Sequence, residues 1–141
     1  MASLYERIRM DVNTRRNLIK VSANPNPKLD YVSGFEGKIS PVALDHPAEL
    51  IIRYVPDRLI LLADGFDTYL GSLEQALWPS LEELAVVLLD DIRNEVVARW
   101  VQVNLKYQPT RHPHLNRQVI TLEDYQPDWD NDILLSHLPL V

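Results

Sequence analysis

The period of the apolar positions changes several times along this chain, and each change marks an element. From Leu29 to Ile39 the apolar bulk of Leu29, Tyr31 and Phe35 alternates with polar residues, which predicts a half-buried strand. Glu49–Val55 is a denser run of β-branched and aromatic residues and reads as a second strand. Pro56-Asp57 is a turn signal, and Arg58–Ala63 reads as a short continuation strand. From Phe66 the period becomes helical: Phe66, Leu70, Leu73 and Leu77 share one face of a helix that Pro79 ends. Ser80-Leu81-Glu82-Glu83 has the form of a capping box, with the Ser80 hydroxyl accepting from the Glu83 amide while Glu83 reaches back. Leu81, Leu84, Leu88, Ile92 and Val96 then give the buried stripe of a longer helix running to about Val97. Trp100–Tyr107 and Gln118–Tyr125 are the last two strands, joined by a loop over Thr110–Arg117.

The ends of the chain are less regular. Leu4, Ile8 and Val12 recur at helical spacing until Asn13-Thr14-Arg15-Arg16 breaks it, so residues 1–23 read as a short helix or an arm. Asn24-Pro25-Asn26-Pro27 is a helix-hostile connector, because each proline biases the residue before it toward extended geometry. Residues 24–127 form the domain, and the acidic, then apolar, residues 128–141 form a tail of about one helical turn that docks on it. The order strand, strand, helix, helix, strand, strand predicts an α+β fold: an antiparallel sheet with both helices on one face.

Composition narrows the functions open to such a fold. At 141 residues the chain makes one domain. Fourteen basic against twenty acidic residues give a net charge of −6, the wrong balance for a non-specific nucleic-acid binder. There is no cysteine, which excludes disulfides, thiolate metal sites and cysteine nucleophiles. The longest apolar run, Leu84–Leu89, falls far short of the roughly 18 residues that span a bilayer. Residues 1–20 are charged throughout, without a signal-peptide core, so the expected location is the cytoplasm, away from membranes.

Four strings carry a family resemblance: Asn24-Pro25-Asn26-Pro27-Lys28-Leu29-Asp30-Tyr31, Ile52-Arg53-Tyr54-Val55-Pro56-Asp57, Tyr69-Leu70-Gly71-Ser72-Leu73, and Asp90-Asp91-Ile92 followed by Arg99-Trp100-Val101. In this order, over about residues 24–107, they resemble the tunnelling-fold (T-fold) superfamily, and within it the NADPH-dependent 7-cyano-7-deazaguanine reductases of queuosine biosynthesis. The resemblance implies a T-fold sheet, assembly of several copies into a homo-oligomer with sites between subunits, and a purine- or pterin-like ring as ligand. An edge such as Leu29–Ile39 would supply unpaired amides for a neighbouring copy.

The catalytic pattern departs from that family. Its nucleophilic cysteine falls on Ser40, in the loop Ser40-Pro41-Val42-Ala43-Leu44-Asp45-His46-Pro47. A serine hydroxyl is a far weaker nucleophile and needs an adjacent base. The family's aspartate proton donor corresponds to Asp45 once a gap is allowed, with His46 beside it as an acid–base candidate. The family's two cofactor-binding lysines become Asp64 and Asp67, which repel phosphate, so no cofactor is expected although the resemblance implies NADPH. What persists is a glutamate near the start of the second helix, where T-folds anchor the ring; here it is Glu82. A carboxylate suits that task because the ring edge offers two N–H donors in parallel.

Other features read more simply. His112 and His114 have no third metal ligand at suggestive spacing, and Asp128, Asp130 and Asp132 lack the glycine and distal glutamate of a calcium loop. Trp78, Trp100 and Trp129 fit core or interface positions. Three functional classes stay open: a T-fold enzyme with different chemistry, a T-fold that binds a ring without catalysis, and an oligomeric interaction protein.

Overall fold

The computed structural model describes residues 11–141, so Leu4 and Ile8 of the expected N-terminal helix lie outside the described residues. In chain order the elements are α1 (Val12–Arg16), β1 (Val21–Ala23), β2 (Ser33–Ile39), β3 (Ala48–Val55), β4 (Leu59–Leu61), α2 (Ala63–Glu74), α3 (Leu81–Val96), β5 (Trp100–Tyr107), β6 (Gln118–Tyr125) and α4 (Asp132–Ser136). Strands β2, β3, β5 and β6 form one antiparallel sheet in that spatial order, with α2 and α3 inserted at its middle. The fold is α+β, as the alternation of periods predicts.

Register sorts the sheet into two faces, because directly opposed residues of antiparallel strands share a face. Leu50 opposes Leu105, Ile52 opposes Val103 and Tyr54 opposes Val101, and Leu105 in turn opposes Ile120. These side chains are buried in one cluster with Phe66, Tyr69 and Leu73 of α2 and Leu84, Leu88 and Ile92 of α3. Both helices therefore cover the same face. Burying one such leucine or isoleucine is worth on the order of 1.5–3 kcal/mol, so this layer carries most of the folding energy.

Helix α3 starts where its cap predicts, with the Ser80 hydroxyl accepting from the Glu83 amide at 3.2 Å. It ends at Val97, held in the left-handed conformation (φ 48°), whose carbonyl accepts from the side-chain Nε2 of Gln126. Helix α2 is displaced from the expected Phe66–Leu77: it begins three residues earlier and stops at Glu74. The chain then turns early enough for the Trp78 indole N–H to donate to the Leu73 carbonyl at 2.8 Å. Leu77 thus lies in the irregular connection between α2 and α3 and not at the end of a helical stripe.

Two further differences come from long-range partners. The expected continuation strand Arg58–Ala63 shortens to β4, which pairs with β1 and not with the main sheet. Residues 12–23, read from sequence as arm, pack into the fold: Arg15 and Ile19 are buried, and the Leu62 amide donates to the Lys20 carbonyl. Gly65 allows this, since a Cβ there would lie 2.8 Å or less from Lys20 and Leu18 atoms.

The expected strand Leu29–Ile39 begins only at Ser33 because the residues before it are bound elsewhere. Arg99 donates to Asp30, to Asp57 and to the Pro27 carbonyl, and Asp30 also accepts from the Trp129 indole and the Asn131 amide. The tail thus docks through its first residues, and farther on Arg53 Nη1 donates to the Pro139 carbonyl at 2.7 Å. Three of the strings behind the resemblance meet in this knot and have structural work there.

Candidate functional site

The loop between β2 and β3 and the start of α3 are far apart in sequence, yet they form two walls of one cleft of about 360 Å³. Pro41, Ala43 and Leu44 make one side, the buried rings of Trp78 and Tyr107 with Leu81 and Leu84 make the floor, and Ser80, Glu82 and Gln118 stand at the mouth. An apolar floor with a few polar groups at the rim is the usual make-up of a small-ligand site.

Glu82 is exposed in the first turn of α3, a position where an acidic side chain complements the helix dipole. Its Oε1 accepts from Gln118 Nε2 of β6 at 3.0 Å. At the other end of the same helix, Arg93 pairs with Asp124 at 2.6 Å. Helix α3 therefore lies along β6, fastened at both ends, and Glu82 has a structural partner as well as a place on the cleft.

The three catalytic candidates are not assembled. Ser40 is exposed, and its amide donates to the Glu74 carboxylate. Asp45 accepts from the Thr110 hydroxyl at 3.0 Å and faces Arg111 at 3.5 Å. His46 stacks on Tyr107, with ring centroids 4.8 Å apart, while the Tyr107 hydroxyl accepts from the Asp45 amide. No hydrogen bond joins Ser40, Asp45 and His46 among the described residues, so the serine has no base to activate it. These contacts shape the loop that walls the cleft.

The residues where the resemblance implies NADPH do not fit that cofactor. Asp64 and Asp67 stand exposed on the outer side of α2, and Asp64 lies in its first turn, where an acid stabilises the helix. Two carboxylates there repel a pyrophosphate. Among the described residues no group of three His, Asp or Glu side chains could hold a metal ion. The tryptophans have their indole N–H groups in structural bonds: Trp78 to Leu73, Trp100 to Glu123 and Trp129 to Asp30.

Sequence reading passed over the most buried polar cluster. Asp91 is fully buried and accepts from Arg15 Nε at 2.6 Å and Nη2 at 3.1 Å, from Arg16 Nε at 2.7 Å, and from the Tyr69 hydroxyl at 2.5 Å. A signal was present: Leu84, Leu88 and Asp91 follow at four and three residues, so an acid occupies the apolar stripe. The cluster ties α1 to both helices of the core.

Two buried tyrosines, Tyr69 of this cluster and Tyr54 of β3, bear on stability at alkaline pH. Burial, reinforced by the charge of Asp91, holds the Tyr69 hydroxyl well above its ordinary range, and burial raises Tyr54 as well. In the unfolded chain both ionise near about pH 10. Their contribution is complete below that pH and is lost as the pH rises from there through the folded-state values, because only the unfolded chain releases the protons. Urea midpoints should thus fall steadily from pH 10 upward, and Tyr69→Phe should flatten the slope.

Comparison of the sequence with protein-family models and with curated proteins returns no match. Among the described residues no helix is long and apolar enough to cross a membrane.

Proposed function

We propose that this chain is a ring-binding T-fold protein that works without nitrile-reductase chemistry, and that it takes a purine- or pterin-like heterocycle in the cleft beside Glu82. One observation carries the reading: the loop in the position of the family's nucleophile and the glutamate in the position of its ring anchor line the same cleft. The sequential four-stranded sheet with two helices on one face supports it, as does the resemblance of the four strings. Glu82 Oε1 and Oε2 would accept a donor pair from the ring edge, with Gln118 released or shared, while Trp78 and Tyr107 contact the ring's apolar body. Ser40 lacks a base and the chain lacks a thiol, so no covalent adduct is part of the reading. The protein would act as a homo-oligomer, the sheet edges β2 and β6 being open to a neighbour.

A second reading, a non-catalytic interaction protein, is favoured by the Gln118–Glu82 bond, which gives Glu82 a purpose without any ligand. Thermal shift with guanine, 7-deazaguanines and pterins separates the two. A bound ring at 100 times its dissociation constant stabilises by about 2.7 kcal/mol. Glu82→Gln should abolish that shift and leave the ligand-free melting temperature nearly unchanged. If no ring shifts the wild type, the interaction reading takes its place.

A further inference from the structure

Two opposite charge imbalances line one pocket at the C-terminal end of α3. At the end of α1, Arg15 and Arg16 share the single carboxylate of Asp91, which leaves one positive charge uncompensated. Arg15 is buried with two bonds to Asp91, so the surplus is presented by Arg16. Asp91 holds the Arg16 Nε at 2.7 Å and so fixes the guanidinium, while neither Nη has a hydrogen-bond partner among the described residues. The reverse imbalance belongs to Arg93, whose single guanidinium is shared by Asp124 at 2.6 Å and Asp90 at 3.7 Å. Here one negative charge is left over. Arg16, Asp90, Arg93 and Asp124 all line the same pocket of about 390 Å³, and its apolar lining includes the buried Ala98 and Val101.

A second observation marks this pocket. Val97 lies on its wall in the left-handed conformation (φ 48°), alone among the described non-glycine residues in having a positive φ. A β-branched residue is strained there, and glycine would end the helix without that cost. Packing within the chain does not offset the strain, because Val97 is 56% exposed. What the valine supplies is apolar surface to the pocket, and backbone strain of this kind gathers at ligand sites.

We propose that this pocket binds a free α-amino acid with an apolar side chain. The carboxylate takes the two open Nη groups of Arg16, a planar fork that matches it. The ammonium group lies with Asp90 and Asp124 and supplies the positive charge that Arg93 cannot give to both. The side chain rests on Val97, Ala98 and Val101. Each half of the site excludes a simpler ligand: the two acids repel a phosphate, and Arg16 repels a plain amine. A neutral zwitterion satisfies both. The site stands at the opposite end of α3 from the cleft beside Glu82 and does not depend on ring binding there.

Calorimetric titration of the full chain with L-leucine, L-valine and L-phenylalanine tests this. At least one should bind, and its methyl ester and its N-acetyl derivative, each lacking one of the two charges, should bind roughly tenfold more weakly or worse. Arg16→Gln should weaken the free amino acid as the ester does. Asp90→Asn with Asp124→Asn should weaken it to a similar extent and leave the N-acetyl derivative, which has no ammonium to lose, no weaker than before. Should Arg16→Gln fail to fold, the double variant decides the point, since its two side chains are 51% and 39% exposed. No binding of any of the three at millimolar concentration overturns the proposal. So does an N-acetyl derivative that binds as tightly as the free amino acid, inorganic phosphate bound in its place, or a double variant with unchanged affinity for the free amino acid.

Discussion

Replacing Asp91 by alanine should cost about 3–5 kcal/mol of folding stability, because it strands two guanidinium groups that are held by one buried carboxylate. Arg15 is 4% exposed and would lose both of its bonds to Asp91, while Tyr69, fully buried, would keep a hydroxyl without its acceptor. Asp91→Asn should do nearly as much damage. It keeps the shape, but it removes the charge and gives one oxygen's place to an N–H₂ group that faces guanidinium donors. Asp90→Ala is the control. Its neighbouring carboxylate is half exposed and pairs with Arg93 only at 3.7 Å, so its loss should stay below about 1 kcal/mol. Chemical denaturation of the three variants measures the contrast. Equal losses at positions 90 and 91 would show that the cluster does not fasten α1 to the core.

That cluster also shows where the sequence stops being legible. Strands β3, β5 and β6 and helix α3 fall within a residue of their expected limits, because each has a dense local signal: period-two alternation, or a capped period of 3.6. The errors lie where a distant partner decides. Residues 29–32 are drawn out of β2 by Arg99, seventy positions on, and β4 is drawn from the main sheet by β1. No local pattern encodes either contact. The site follows the same rule. Glu82 is legible as a first-turn acid after a serine cap, but that Gln118 meets it, and that Leu44 and Tyr107 wall and floor the cleft beside it, are facts of topology. Ser40, Asp45 and His46 form a suggestive string in one dimension. In three, each is turned to a different neighbour.

Gly34→Ala should destabilise the protein by about 1–3 kcal/mol or more, and Gly37→Ala on the same strand should not. Both glycines lie in β2, three residues apart, and backbone freedom alone would treat them alike. Their surroundings differ. A Cβ at Gly34 would fall 2.0 Å from the Ile52 carbonyl oxygen and 3.1 Å from the Arg53 Cα, all backbone of β3, whereas a Cβ at Gly37 meets nothing within 4 Å. Backbone in a central strand cannot give way as the end of a side chain can. Either β2 lifts from β3, breaking the ladder that pairs Ser33 to Tyr54 and Phe35 to Ile52, or β3 shifts against β5. The first is cheaper, since β2 is an edge strand. Lifting it would also pull Phe35 off Phe66, whose rings stack at 5.4 Å, and so loosen α2 from the sheet. At Gly37 an alanine restricts the unfolded chain without a clash, and it should be neutral or stabilising by up to about 1 kcal/mol. Urea denaturation of the pair decides the point. Equal effects at the two positions would mean that β2 does not approach β3 as closely as 2.0 Å implies.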